Sequence, residues 1–336
     1  MVVCGAILGV AGFAFEQGHA NWRPHATRTS AGWRVTQPRL GIDGADLAGD
    51  HLAWQAGPYT IVMDLNSGAT RLVGAAIDAQ SVWPPAVSPR GAVWMEVADG
   101  PGKQTQTLVY AYDFTSRRRR HLLQTSSDLS AASPVVTGTT AYWLSDRDGT
   151  SLVTSCDING GGPRVLASGS DLGPFLLADG SLVIWSSQPR PSAPFSLTVL
   201  DTSSDTTSDL TLPGQSGASF DSPVLADGTL VWLRSANQSG GDAIYSYDLH
   251  TLSARQVVSG DSLVGPAFDG STVVWAQPAA SGSGDVVMGL RLPGGTPFRI
   301  AAVSGDVSSV LVSGTRVAWL VGAGPRSSLA TARLPQ

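Results

Sequence analysis

Charge is scarce in this chain. Of its 336 residues only 14% are Asp, Glu, Lys or Arg, and the net charge is −5. A protein that grips nucleic acid generally does so through a basic footprint against the phosphates, so that class is excluded. Cysteine is nearly absent, with only Cys4 and Cys156. Cys4 lies in the apolar N-terminus, so removal of that segment leaves one thiol and no disulfide. Cys156 falls in a predicted strand and reads as a small buried residue. There are five histidines, and no Cys/His set has metal-ligand spacing. Neither a Gly-x-Ser-x-Gly elbow nor His-Glu-x-x-His occurs, so no catalytic motif is found. Helical periodicity is missing as well; β-formers alternate with turn residues throughout.

Long apolar runs are also missing, except at the start. Residues 1–15 carry no charge and are mostly apolar. That length suits the apolar region of a signal peptide and is short for a membrane-spanning helix. Gly18-His19-Ala20 offers a small-residue cleavage site, although no basic leader precedes the run. Residues 1–20 therefore read as a signal peptide or the remnant of a membrane anchor, and either one exports the remainder of the chain. Residues 21–31 read as a polar linker and residues 32–336 as one domain.

Glycine and tryptophan are plentiful. Trp54, Trp94, Trp143, Trp185, Trp232, Trp275 and Trp319 recur at intervals of 40, 49, 42, 47, 43 and 44 residues. Self-similarity at this period marks a stack of one supersecondary unit. Gly49, Gly138, Gly180, Gly270 and Gly314 each lie five residues before their Trp, with Gly91 and Gly228 slightly closer. Three of these turns read Asp-Gly, a hairpin signal because a tight turn needs residues tolerant of positive φ. Pro85, Pro134, Pro223 and Pro266 lie nine residues before the Trp. Proline lacks a donor, which places it at a strand start or sheet edge. After each Trp a variable loop leads to a third strand, as at residues 59–64, 108–113, 152–157, 197–201 and 244–248. These five end on Asp64, Asp113, Asp157, Asp201 and Asp248, placed for Asx-turns. A short turn and a fourth strand come next.

Four short strands per unit of about 44 residues predict an all-β, seven-bladed β-propeller. The last unit has no fourth strand of its own. Residues 32–36, Gly-Trp-Arg-Val-Thr, read as the strand that completes it and closes the ring. Six or eight blades fit the repeat less well.

The third unit reads Ser145-Asp146-Arg147-Asp148-Gly149-Thr150, a strand, then Asp157-Ile158-Asn159-Gly160-Gly161-Gly162-Pro163-Arg164-Val165-Leu166. This resembles the repeat of TolB-like propellers, and the unit from Asp227-Gly228 through Asp248-Leu249 is similar to it. The resemblance covers residues 40–336, with one unit matching closely. It implies the propeller fold and an extracytoplasmic setting, as in periplasmic and surface proteins of bacteria. TolB has six blades and an added N-terminal domain, so a role in the TolB system is not implied. The Trp-Asp pattern of WD40 repeats and the sialidase box are both absent.

Several residues are candidates for function. The repeat tryptophans suit packing between blades. Trp83, before Pro84-Pro85, reads as a loop residue able to contact a partner. Asp43, Asp78, Asp128, Asp171, Asp221, Asp261 and Asp306 lie eleven to sixteen residues before their Trp. They are expected at the mouth of the central channel, where their summed field draws cations or a basic peptide. Oxygen-only ligands make calcium the one possible cofactor; otherwise none is implied. The run Arg117–Arg120 reads as a solvated hairpin. The long second–third loops (95–106, 186–194, 276–284) and the blade-to-blade loops emerge on one face. The expectation is a monomeric, non-enzymatic exported propeller that binds a protein or peptide there and meets a membrane only through its N-terminus. The alternative is a propeller hydrolase or lyase acting on a glycan or small molecule at the channel mouth, with calcium.

Overall fold

The computed structural model describes residues 23–37, 40–76, 79–99, 105–125, 134–147, 149–188, 196–212, 220–235 and 241–335. These form seven antiparallel sheets. Blade 1 takes its four strands in order from Gly44–Ala48, His51–Ala56, Tyr59–Asp64 and Thr70–Ala75. Blades 3 to 6 repeat that order, starting at Val135–Thr137, Leu172–Asp179, Asp221–Ala226 and Val264–Phe268. Blade 7 combines Val307–Ser313, Arg316–Val321 and Ser328–Arg333 with Trp33–Thr36, whose Arg34, Val35 and Thr36 pair with Ala330, Leu329 and Ser328. The ring is thus closed by the N-terminal strand. The segment read as a linker carries one more strand, His25–Arg28, paired with Trp33–Thr36. Its polar sequence hides it, since only one face of this edge strand has a neighbour to pack on.

Each blade's first strand touches the first strand of the next, from Gly44–Ala48 around to Val307–Ser313 and back. These seven inner strands wall the channel. In blades 5 and 6 the proline lies inside the inner strand, at a register shift between Asp221 and Val224 and between Val264 and Ala267. The missing donor is tolerated there because a bulge leaves its residue unpaired. Blade 2 splits its first strand into Ala79–Val82 and Ala86–Val87 around Trp83-Pro84-Pro85.

The core is divided into seven clusters, one per blade interface, and each holds one repeat tryptophan. Trp94, for example, packs with Ala53, Val62 and Val73 of blade 1. Its strand neighbours Val93 and Met95 face the opposite way, against Trp143 of blade 3. Alternation along a strand dictates this: the Trp faces the preceding blade and its neighbours face the following one. All seven are buried. An indole of 150–250 Å² contributes roughly 4–6 kcal/mol gross when removed from water, so each interface is anchored by its Trp. The side of the third strand that pairs with the Trp begins at a bulge in five blades, for instance between Val109 and Tyr110 opposite Trp94. Bulges add local twist at the height where the indole is wedged.

Candidate functional site: the central channel

The two ends of the ring differ. At one end lie the first–second and third–fourth turns, which are tight. Here the third-strand aspartates act as expected: Asp64 accepts from the Asn66 and Ser67 N–H groups at 2.8 and 3.0 Å. Asp157 accepts from Asn159 at 2.7 Å, and Asp248 from His250 and Thr251 at 2.8 and 3.0 Å. Backbone donors aimed at a carboxylate favour its charged form. The Ser67 N–H holds Asp64, and the Thr251 N–H holds Asp248, below the usual carboxylate range. The Ser203 hydroxyl and N–H bring Asp201 down to about 2. This end also carries bonds between blades that the sequence does not announce. Gly49 N donates to Ser313 Oγ (2.8 Å), Ser88 Oγ to Gly138 O (2.7 Å), Gly180 N to Thr137 Oγ1 (3.1 Å) and Asp227 N to Asp179 Oδ2 (2.6 Å).

The opposite end carries the second–third loops and the blade-to-blade connections. The described members of the acidic set all sit there, four of them tied to the blade they enter and Asp261 lying against the preceding one. Asp43 Oδ2 accepts from Gly57 N at 3.4 Å, and Asp221 Oδ2 from Ser235 Oγ at 3.2 Å. The carbonyls of Asp171 and Asp306 accept from Gln188 N and Gly322 N. Asp261 lies beside Gly241. Asp78 and Asp128 fall outside the described residues. Among the described residues no three His, Cys, Asp or Glu side chains gather as a group able to hold a metal ion.

Inside the ring is a cavity of about 330 Å³. It is walled by the inner strands of blades 1, 5, 6 and 7: Asp46 and Leu47, Ser222 to Val224, Gly265 to Phe268, and Ser308 to Val312. None of the expected acidic set lines it. Asp46 does, and it is the one ionisable side chain among the lining residues. Its Oδ2 accepts from Val87 N of blade 2 at 2.7 Å and its Oδ1 from Leu47 N at 2.8 Å. Asp46 lines the cavity and is half-buried, with its carboxylate held between the inner strands of blades 1 and 2. Desolvation dominates over the two backbone bonds and pushes its pKa up to about 6. A signal for it exists in the sequence. Asp46 stands eight residues before its Trp, where the other blades carry Ala86, Val135, Leu177, Val224, Ala267 and Leu311.

The remaining candidate residues serve packing. The Trp83 backbone N–H donates to Met95 O at 3.0 Å. Its ring is half-buried against the cluster of Val93, Met95 and Trp143, so it continues the first strand of blade 2 and covers a core edge. Within the arginine run, Arg119 is exposed yet also packs on its blade. Its guanidinium lies 3.9 Å over the Tyr110 ring and 3.5 Å from Glu96, which accepts from Trp94 Nε1 at 2.8 Å. Burial raises the Glu96 pKa. His51 stacks on Phe114 and His121 lies against Tyr110, in separate packing environments.

No family model matches the chain and no curated protein is similar to it in sequence. Solved structures are similar in fold. An oligogalacturonate lyase in complex with manganese aligns at 14% identity and TM-score 0.61, over 94% of this chain and 96% of that one. The β-propeller domain of the Trilobed protease from Pyrococcus furiosus aligns at 12% identity and TM-score 0.63, over 87% and 95%. That domain has an open velcro topology, whereas here the N-terminal strand completes the last blade. TolB from Acinetobacter baumannii aligns at 12% identity and TM-score 0.45, over 93% and 79%. At these identities the likeness is one of fold, and enzymes share that fold, so it carries no activity with it. The chain is a seven-bladed β-propeller.

Proposed function

We propose that this chain is a non-enzymatic, exported propeller that binds a protein or peptide through the end of the ring carrying its long connections. The observation that supports it is the asymmetry of the two ends. Aspartate-capped turns and inter-blade hydrogen bonds pin one end. At the other end the described strands lead into the second–third and blade-to-blade connections, and loops held by a rigid scaffold are where recognition residues gather. Export is suggested by the uncharged apolar residues 1–15. Among the described residues no helix is long and apolar enough to cross a membrane.

A displayed random-peptide library, selected on the full chain and read by titration calorimetry, tests the reading. Selected peptides should lose at least tenfold in affinity when residues 323–326 (Ala-Gly-Pro-Arg), in the second–third connection of blade 7, become a Gly-Ser segment of equal length. They should bind unchanged when residues 66–69 at the tight-turn end are so replaced. Binding that depends on the tight-turn end, or no selectable peptide, overturns it. A phosphatase reporter active only outside the cytoplasm, fused after residue 336, should be active in a bacterial host; an inactive fusion removes the export clause.

The glycan or small-molecule hydrolase or lyase reading draws on the oligogalacturonate lyase likeness. It needs convergent acid and base groups, and among the described residues the cavity offers Asp46 alone. A saturable rise in melting temperature with calcium, lost in Asp171→Asn and Asp261→Asn, would favour it.

A further inference from the structure

We propose that the channel cavity beside Asp46 is a binding site for an organic ammonium group, a role separate from recognition by the loops. The site has the size and character of a small-ligand pocket. Its volume of about 330 Å³ lies at the small end of the range for ligand cavities. Its wall mixes apolar and polar surface, with Val224, Phe268 and Val310 among the apolar lining and serines at Ser222, Ser308 and Ser309. One fixed negative charge sits in that wall. The Asp46 carboxylate is ordered by two backbone donors, one to each oxygen. An ionised carboxylate accepts about four hydrogen bonds, so acceptor capacity remains on both oxygens.

No countercharge meets it. Among the described residues no Lys, Arg or His lines the cavity, and none acts on the Asp46 charge. A half-buried carboxylate without a countercharge is costly to keep ionised, and a cation entering the cavity relieves that cost. An ammonium on an alkyl stem matches both halves of the wall: its N–H groups suit a carboxylate with nearby hydroxyls, and its stem suits the apolar lining. A calcium ion wants six to eight oxygens, usually several of them carboxylate, and this wall supplies one carboxylate. The repeat points the same way, since the equivalent residue is apolar in all six other blades.

Two sources share this chemistry: a free alkylamine, and a lysine side chain presented by a peptide. Calorimetric titration of the full chain with n-pentylamine, and with an end-blocked peptide holding one lysine, separates them. Saturable binding of either probe is expected, and the tighter probe names the source. Among the described residues Asp46 is the one ionisable group lining the cavity; the other on the inner strands of blades 1, 2, 5, 6 and 7 is Asp221, outside the lining and accepting from Ser235 Oγ. Affinity should therefore rise roughly tenfold from about pH 5 to about pH 8 as Asp46 ionises while the amine stays charged. Asp46→Asn keeps an oxygen for the Val87 N–H and should abolish binding. Ser309→Leu fills the lumen without touching the carboxylate and should abolish it too. The wild-type pH series stands even if Asp46→Asn fails to fold. Neither probe binding, binding that is flat with pH, or binding that survives both substitutions overturns the site. So does Asp46-dependent calcium binding without amine binding. Failure of the peptide library to yield loop-dependent binders would leave these results untouched.

Discussion

The junction of the first and last blades carries a directional test of how the ring is held shut. Arg316 opens the second strand of blade 7, and its Nε and Nη2 donate to Asp50 Oδ1 at 3.0 and 2.8 Å. Nη2 also donates to Asn66 Oδ1 at 2.7 Å. The partners are unequally buried: the Arg316 side chain is 10% exposed and that of Asp50 is 46% exposed. Asp50→Ala strands a guanidinium in the dry interface with Asn66 as its remaining acceptor. An uncompensated buried charge of this kind costs about 3 kcal/mol. Arg316→Met instead leaves a carboxylate that already touches water, while methionine fills much of the stem's volume. Its cost is about 1 kcal/mol, in the range of an exposed pair. Asp50→Ala should therefore be the more damaging by about 2 kcal/mol, although it deletes the smaller and more exposed side chain.

The same pair sets a pH dependence. The Asn66 side chain and then the Arg316 guanidinium hold the Asp50 pKa below its usual value. A depressed carboxylate contributes stability that is present above its unfolded value near 4 and is lost as pH falls through the lower folded value. The gap between wild type and Asp50→Ala should be flat from about pH 5 to pH 8 and narrow below about pH 4. Urea denaturation followed by tryptophan fluorescence measures both effects, provided the variants share one m-value. Equal costs for Arg316→Met and Asp50→Ala, or a gap that persists unchanged into strong acid, would refute the asymmetry of the pair.

Three other outcomes rest on the geometry. A Cβ on Gly74 would meet the Trp94 indole at 2.7 to 3.0 Å; that ring is fully buried, so Gly74→Ala should lose about 2 kcal/mol in the same urea series, and a neutral result would show that the interface of blades 1 and 2 yields. The Asp46 pKa is raised from 3.8 to about 6, so its stabilising contribution is full below about pH 4 and is lost as pH rises through about 6, a loss of about 2 to 3 kcal/mol. Asp46→Asn removes that loss but leaves the Leu47 N–H without its acceptor, at about 1 kcal/mol; the variant should be less stable than wild type near pH 4 and more stable near pH 8, and a difference constant with pH would refute the burial argument. Cys156 is free and buried, and burial raises its thiol pKa; followed by peptide mass mapping, which separates it from Cys4, Cys156 of the native protein should resist iodoacetamide at pH 8 and label only on unfolding, so rapid native labelling of Cys156 would place the thiol at the surface.

The fold was legible because its parts recur. The Trp fills an interface in all seven units, the turn glycine takes a positive φ in every unit but that of Gly91, and the terminal aspartates of five units cap their turns. Where side chains stop alternating, the pattern falls short. The second and third strands of blade 2 run through Gly91–Asp99 and Thr105–Asp113, into residues read as a loop. A hairpin ladder needs only backbone groups once it has started, so its length outruns the apolar pattern. His25–Arg28 was missed for the same reason: its only buried-side contact is Ala26 on the cluster around Trp54.

The candidate site was less legible, because a repeat draws attention to what is shared. The acidic set stands out through its recurrence, and recurrence at strand entrances is what backbone chemistry produces: Asp43, Asp171, Asp221 and Asp306 each bond within their own blade. Asp46 stands out only by difference, as the charged residue at a position where six blades are apolar. Arg316 is similar, standing three residues before its Trp where the other units carry His51, Gly91, Thr140, Leu182, Thr229 and Thr272. Both sit where one blade meets its neighbours, so their partners lie 41 and 266 residues away along the chain. No local pattern brings such partners together; only the closed ring does. In a molecule built from one unit repeated seven times, the shared residues hold the ring, and a site within it must come from residues that break the repeat.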